Sequence, residues 1–177
     1  MAASNYTFPA PVKGEVRPIV AIDSREIQPL VFTHLRSVCS TLVTADYSLY
    51  SNEWAAAIER KGSIDELVTC CSVERDRFAR ELMRMRSHAF RRLILIGFSR
   101  ADIELQRYRS RMAPRAVLAT LSAFEVRYNI AVYYFPTPEA AALQVESWLW
   151  WIAREIDKNA NNLRRSQDRV EQQAEKG

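Results

Sequence analysis

Glycine, cysteine and histidine are scarce in this chain. Its 177 residues include four glycines, three cysteines and two histidines. The cysteines are Cys39, Cys70 and Cys71, and none of them stands in a Cys-x-x-Cys or Cys/His spacing that would suit a metal. Neither a disulfide framework nor a zinc site is therefore indicated. The cysteine pattern favours a reducing, intracellular location.

Long hydrophobic runs are also missing. No stretch reaches the roughly 18 apolar residues of a membrane-spanning helix, and residues 1–17 contain no apolar signal-peptide core. We therefore expect neither secretion nor membrane insertion. Apolar residues nevertheless make up 48% of the chain, and 25 Lys and Arg against 21 Asp and Glu give a net charge of +4. This composition favours one globular domain, and the mild positive charge favours a polyanionic partner without requiring one.

Short apolar strands alternate with amphipathic helices along the chain. The periodicity predicts strands over 18–23, 41–50, 55–61, 91–98 and 130–135, and helices over 29–39, after Ser63, after Val73, over 113–128 and from Pro138 onward. Several strands are apolar on both faces, which predicts an α/β domain whose sheet is covered on each side. We expect a flexible lead-in over 1–17, one domain over 18–156 and a polar, disordered tail over 157–177.

Three of the predicted strands carry acidic residues. Asp23 ends the first strand, Asp46 lies in the second and Glu59 in the third, where Lys61 shares its strand face. A hairpin of the second and third strands would bring Asp46 towards Glu59. Two carboxylates with open coordination positions suit Mg²⁺ or Mn²⁺. An edge strand with alternating solvated charges is the simpler alternative, but three acids at one sheet edge argue against it.

The segments IVAIDSRE, TADYSLY and IERKGSID, in this order, resemble the signature of the XPF-type structure-specific endonucleases. That signature is an Asp-x-Arg-Glu strand end, then Gly-Asp-Tyr, then Glu-Arg-Lys-x-x-x-Asp. The last element is complete here as Glu59, Arg60, Lys61 and Asp65. RDRFARELMRM, RRLILIG and YFPTPEAAALQVESWLWWIARE are similar to the helix and strands that follow it, so the resemblance covers about residues 18–156.

The resemblance implies a restriction-endonuclease-like fold, in which helices flank a central mixed sheet on both faces. It implies a Mg²⁺- or Mn²⁺-dependent endonuclease that hydrolyses phosphodiester bonds of branched or flapped DNA in repair or recombination. Asp23, Asp46 and Glu59 would be the metal ligands, and Lys61 would position the attacking water and offset charge in the transition state. Supporting roles would fall to four further residues, namely Arg25, Glu26, Arg60 and Asp65.

The chain departs from the family pattern in two places. Ala45 stands where the family usually has glycine, which implies a slightly different backbone turn. Nothing after Trp151 can build the helix-hairpin-helix modules that many relatives carry, so we expect a solitary nuclease core. A non-catalytic DNA-binding or partner subunit is the main alternative, although such relatives lose the acidic cluster. Another nuclease of the restriction-enzyme-like superfamily is a third hypothesis.

Two surfaces are candidates for partners. Arg77, Arg80 and Arg84 share one side of the helix after Val73 and would suit DNA phosphates. The acidic residues close to them fit an ordinary solvated helix face equally well, so both interpretations stay open. Trp150 and Trp151 cannot both be buried by one helix face, and an exposed tryptophan often marks a partner surface. Because relatives pair through their nuclease cores, we expect a homodimer or a heterodimer.

Overall fold

A computed structural model describes residues 8–9 and 16–174. Its six strands form one mixed sheet in the order β2-β1-β3-β4-β5-β6. The β1–β2 pair and the β4–β5–β6 set are parallel, whereas β3 runs antiparallel to both of its neighbours. The strands are β1 (Ile19–Asp23), β2 (Arg36–Ser40), β3 (Tyr47–Leu49), β4 (Ala56–Lys61), β5 (Phe90–Ile96) and β6 (Ala131–Phe135).

Five helices cover the two faces of the sheet. They are α1 (Ile64–Cys71), α2 (Arg75–Met85), α3 (Arg100–Glu104), α4 (Pro114–Tyr128) and α5 (Pro138–Ala174). Helices α1 to α4 pack on one face, where Phe78 and Phe124 are fully buried. Helix α5 packs on the other face through residues such as Val145 and Leu149. The predicted mixed sheet with helices on both faces is therefore confirmed.

Strand alternation assigns each residue of β4 to one of these two cores. Ile58 packs in the α5 core, while its neighbour Ala57 packs in the α1–α4 core. Glu59 and Lys61 are two and four residues beyond Ala57, so they share its face. Glu59 and Lys61 therefore share one face of β4, as the sequence predicts, and the structure shows that this is the face covered by α1–α4.

The predicted helix over 29–39 is wrong. The segment is an extended loop followed by β2, which pairs in parallel with β1. Its backbone N–H groups bond to distant side chains instead of to helical carbonyls: Leu30 donates to the Tyr47 hydroxyl at 2.9 Å, and Leu35 donates to Glu146 Oε1 at 2.8 Å. Leu30 and Leu35 are buried, as a helical stripe would require, but in the α5 core.

The predicted second strand is also shorter than expected. Of residues 41–50 only Tyr47–Leu49 form β3. Ala45 interrupts the extended backbone because its φ of 65° lies in the left-handed region. Glycine enters that region freely and alanine does not, so the chain keeps a glycine-type turn at the position where the family usually has glycine.

Described residues beyond both predicted ends of the domain belong to ordered structure. Most of the predicted lead-in lies outside the described residues, but Phe8 is buried and stacks on His34 with 4.8 Å between ring centroids. The predicted disordered tail continues α5 as far as Ala174, because no proline or glycine interrupts residues 158–174. The side chains of residues 158–169 and 171–173 are exposed. None of the described helices has the length and apolarity needed to cross a membrane.

Candidate active site

Three acidic residues meet at one edge of the sheet. The backbone N–H of Asp23 donates to the Asp46 carbonyl at 2.8 Å, and the N–H of Asp46 donates to the Ile58 carbonyl at 3.1 Å. Asp46 comes just before β3, and β3 pairs antiparallel with β1 and β4. Asp46 therefore lies beside the ends of β1 and β4. The expected convergence of Asp23, Asp46 and Glu59 follows from this pairing.

The carboxylate of Asp23 is fully engaged by its neighbours. Oδ1 accepts from the Arg25 backbone N–H at 2.8 Å and from Nε at 2.7 Å, while Oδ2 accepts from Arg25 Nη2 and from the Leu42 N–H, each at 2.9 Å. The Arg25 guanidinium is the main cause of the lowered pKa of Asp23. Asp23 therefore fixes the loop around Arg25 and offers no free oxygen.

Asp46 is held on one side only. Its Oδ2 accepts the backbone N–H of Arg60 at 2.7 Å, and within the described part of the chain nothing bonds to Oδ1. The residue lines a cleft of about 480 Å³ together with Lys61 and Glu81. Asp46 thus presents one carboxylate oxygen to this cleft edge while β4 fixes its orientation.

Glu59 and Lys61 form a buried ion pair under the cleft. Lys61 Nζ lies 2.7 Å from Glu59 Oε1 and 3.4 Å from Glu66 Oε1, and it sits 5.0 Å from the centre of the Phe78 ring. Glu59 is 3% exposed, and its Oε2 is buried without a hydrogen-bond partner among the described residues. A buried carboxylate oxygen without a donor is costly unless a cation or donor arrives.

The pKa values of Asp46 and Glu59 are raised, chiefly by burial and further by neighbouring carboxylates. Burial raises the pKa of Asp46 to about 6. Burial, together with the charge of Asp46, raises the pKa of Glu59 to about 8. Burial alone would lower the pKa of Lys61, but the Glu59 carboxylate outweighs it and the pKa is raised. Two carboxylates that resist ionisation beside a charged lysine indicate a site that is short of positive charge.

A second buried ion pair supports the same edge. Arg60 Nη2 lies 2.9 Å from Glu26 Oε1, whose oxygen also accepts the Gln28 N–H at 2.8 Å. The side chains of both ion-pair partners are mostly buried. Gly62 makes room for this guanidinium, because a Cβ there would lie 2.7 Å from Arg60 Nη1. Arg60 therefore joins the loop after β1 to β4 and, through its backbone, orients Asp46.

Sequence reasoning missed the acidic residue that α2 adds to the cleft. Glu81 lines the cleft opposite Asp46, and its charge contributes to the raised pKa of both Asp46 and Glu59. Its carboxylate lies 3.5 Å from Arg77 Nη1. The available signal was its position beside the buried Leu82, at the border of the apolar stripe of α2.

Comparison with known proteins identifies the family. The ERCC4 domain matches residues 22–147, well over half of the chain. This chain is a member of the ERCC4 domain family. No curated protein matches it.

Two solved structures share the fold of this ERCC4 domain. XPF from Aeropyrum pernix is 25% identical and superposes with a TM-score of 0.57, over 75% of this chain and 60% of that one. XPF from Aeropyrum pernix in complex with DNA is 23% identical, with a TM-score of 0.58 over 78% of this chain and 66% of that one. The resemblance to the XPF-type nuclease core is confirmed. The present chain thus spans 60% of the first relative's length.

The remaining predicted residues of the ERCC4 domain lie at or near the cleft. Arg25, Glu26, Arg60 and Arg77 line it, whereas Asp65 does not. Asp65 lies in the first turn of α1, where Oδ1 accepts the backbone N–H of Arg109 at 2.8 Å. Arg80 and Arg84 are exposed on α2. Arg77 is held by Glu74 and Glu81, so it is the least available of the three α2 arginines for DNA.

The donor set of this ERCC4 domain fits a hard divalent cation. Within residues 8–9 and 16–174, no group of three or more His, Cys, Asp or Glu side chains stands ready to enclose a metal ion. Asp46 and the unpartnered Oε2 of Glu59 are the oxygens left for one. Mg²⁺ is commonly held by only one or two carboxylates, with waters and substrate phosphates completing its shell. Cys70 and Cys71 are poor ligands for such an ion, because burial raises the pKa of the Cys70 thiol to about 11 and that of Cys71 to about 12.

Proposed function

We propose that this ERCC4 domain is a divalent-metal-dependent endonuclease that hydrolyses phosphodiester bonds in branched or flapped DNA, in repair or recombination. The observation that supports this most directly is the unpartnered buried oxygen of Glu59, beside Lys61 and close to Asp46. A purely structural ion pair would have both carboxylate oxygens satisfied. A buried carboxylate oxygen without a hydrogen-bond donor fits a group that binds a cation when the substrate is bound.

The chain's own residues supply binding, orientation and charge. Asp46 and Glu59 would hold Mg²⁺ or Mn²⁺, which polarises a phosphate and lowers the pKa of a bound water. Lys61, fixed by Glu59 and Glu66, would orient the attacking water and stabilise the charge that develops on the phosphate. Its burial against Phe78 keeps this ammonium in place without reorganisation.

We assign Asp23 a positioning role. The sequence resemblance places it among the metal ligands, but its two oxygens already accept four hydrogen bonds from Arg25 and Leu42. Its position next to Asp46 in the sheet ties the first motif to the second. Arg60 and Glu26 would stiffen the same edge through their ion pair.

The decisive experiment is a cleavage assay on labelled 3′-flap, splayed-arm, Holliday-junction and linear duplex DNA with Mg²⁺ or Mn²⁺. We expect cleavage of a branched substrate, and we expect Glu59→Gln to lose it by about 100-fold or more. Circular dichroism at the assay temperature checks that the variant is folded. Glu104→Gln, an exposed carboxylate on α3, is the matched control and should cut like the wild type.

Two other results would change the assignment. If wild type and Glu59→Gln both bind branched DNA equally and cut nothing, the domain is a non-catalytic binding or partner subunit. If only linear duplex is cut, the site is that of a nuclease with a different substrate. Calorimetric titration of Mn²⁺ gives an independent reading, because Glu59→Gln should weaken metal binding whatever the DNA.

The proposal includes a dimer formed through the nuclease core. Trp151 is 52% exposed and meets Trp150 edge-on with 4.7 Å between ring centroids. We expect sedimentation equilibrium at tens of micromolar to give a dimer mass, and Trp151→Ser to shift it towards the monomer. Trp54→Ser removes an equally exposed tryptophan and should leave the mass unchanged. A wild type that stays monomeric would contradict this part of the proposal.

A further inference from the structure

The segment from the end of α3 into the first turn of α4 concentrates positive charge. Residues 105–115, here named the arginine loop, read LQRYRSRMAPR and contain four arginines and no acidic residue. All four, Arg107, Arg109, Arg111 and Arg115, are exposed. Arginine clusters of this kind suit phosphate oxygens, which accept from the guanidinium fork.

The arginine loop is ordered by its own contacts. The Tyr108 hydroxyl donates to the Met112 carbonyl at 2.8 Å, and the Met112 N–H donates to Ser110 Oγ at 3.2 Å. Arg107 is fixed to Asp102, with Nη1 2.7 Å from Oδ1. The loop is therefore a formed surface, and Arg107 contributes to its structure as well as to its charge.

Asp65 fixes this loop beside the cleft. Its Oδ1 accepts the Arg109 backbone N–H at 2.8 Å, and its Oδ2 lies 3.6 Å from Arg109 Nε. The next residue, Glu66, lines the cleft and approaches Lys61 Nζ at 3.4 Å. Two consecutive residues of the first turn of α1 thus connect the arginine loop to the lysine of the candidate active site.

The charges at the tip of the loop are available to a ligand. Arg109 is 95% exposed, and its ion pair with Asp65 lies on the surface, where such pairs contribute little. Arg111 and Arg115 have no ion-pair partner within the described part of the chain. By contrast, Arg77 on α2 is already held by two glutamates.

We propose that the arginine loop binds the DNA phosphate backbone next to the cleavage site, and that Asp65 is a positioning residue that fixes the loop for this interaction. The proposal rests on the proposed function for its ligand, DNA. The arginine loop would give the nuclease core affinity for DNA of its own.

The test is DNA binding without metal, measured by anisotropy of a labelled 3′-flap duplex over a range of KCl concentrations in EDTA. The variant Arg109→Gln/Arg111→Gln/Arg115→Gln should lower the slope of log affinity against log salt by about 0.9 for each phosphate that an arginine no longer neutralises, about 2 to 3 in all. The control Arg36→Gln/Arg127→Gln/Arg164→Gln removes equal charge at exposed sites elsewhere and should change the slope much less. Equal slopes for the two triple variants, or a wild type that binds no DNA at low salt, would overturn the proposal.

Asp65→Ala tests the positioning role separately. The substitution adds one positive unit to the net charge, so simple electrostatics predicts tighter DNA binding. Loss of positioning predicts weaker binding and faster amide hydrogen exchange over residues 106–112, with the melting temperature lowered by no more than about 4 °C. Tighter binding with unchanged exchange would refute the role of Asp65. These assays measure binding and do not require cleavage. A protein that cuts no DNA would therefore contradict the nuclease proposal, while the proposal for the arginine loop would still be tested by its own results.

Discussion

Asp46→Asn is expected to abolish cleavage and, at pH 8, to make the metal-free protein more stable. The first effect follows because Asp46 provides one of the two carboxylates left for a cation, and we expect a loss of about 100-fold or more. Mn²⁺ titration should show the accompanying loss of metal affinity. The second effect follows from the cost of holding a negative charge at this buried position.

The sign of the stability effect comes from the raised pKa values. Burial raises the pKa of Asp46 to about 6 and that of Glu59 to about 8. Between about pH 4 and pH 8 these two carboxyl groups therefore bind more protons in the folded protein than in the unfolded chain, so their contribution to the free energy of unfolding falls as the pH rises. The lowered pKa of His88, caused by burial, acts in the opposite direction in part of this range. Asparagine carries no charge and can still accept the Arg60 N–H. At pH 8 we expect the free energy of unfolding of Asp46→Asn to exceed that of the wild type by about 1 to 3 kcal/mol.

Urea denaturation in EDTA at pH 5 and pH 8 measures this effect. The change in the free energy of unfolding from pH 5 to pH 8 should be more negative for the wild type than for Asp46→Asn, because His88 is present in both proteins. Asp157→Asn, an exposed position on α5, is the control and should behave like the wild type. An Asp46→Asn variant whose stability changes with pH as much as that of the wild type would contradict the charge assignment, even if cleavage is lost as expected.

The central features of this site could be read from the sequence because they are local. Period-two alternation places Glu59 and Lys61 on one face of β4, and the structure joins them at 2.7 Å. Ser63-x-x-Glu66 has the spacing of a capping box, and Ser63 Oγ accepts the Glu66 N–H at 3.2 Å. Glu66 then differs from a capping box, because its carboxylate accepts from Gly62 and approaches Lys61.

Failures of prediction occur where the deciding partner is distant in sequence. The segment over 29–39 has helical spacing, but Glu146, more than 100 residues away, accepts the N–H groups of His34 and Leu35. The contact between Asp65 and Arg109 spans 44 residues. Side-chain acceptors of this kind compete with helical hydrogen bonds, and no local pattern reports which acceptor the fold will bring near.

The role of Asp23 could not be read for a related reason. Its sequence neighbourhood shows an acid at a strand end, which fits a ligand and a structural anchor equally. Only the pairing of β1 with β2 brings the Leu42 N–H to its Oδ2 and completes the set of four donors. Whether an oxygen remains free is a property of the folded surroundings.

Arg60→Met is expected to destabilise the folded protein strongly. The substitution leaves Glu26 buried with only the Gln28 N–H as a donor, and breaking a buried pair costs about 3 to 5 kcal/mol. Urea denaturation at pH 7 should show this loss as a lower midpoint with an unchanged slope. Metal affinity should change far less, because Arg60 orients Asp46 through its backbone N–H, which methionine also carries.

A double-mutant cycle separates the ion pair from general loss of packing. Adding Glu26→Gln to Arg60→Met removes the stranded charge, so the double variant should be more stable than the sum of the single losses, with a coupling of at least about 1 kcal/mol. The exposed pair Arg100–Glu104 gives the matched control, where we expect about 0.3 to 0.5 kcal/mol. A coupling at Arg60 no larger than this control would mean that the guanidinium acts by filling space around Gly62. Loss of Mn²⁺ binding in Arg60→Met would instead mean that its side chain, and not its backbone, fixes Asp46.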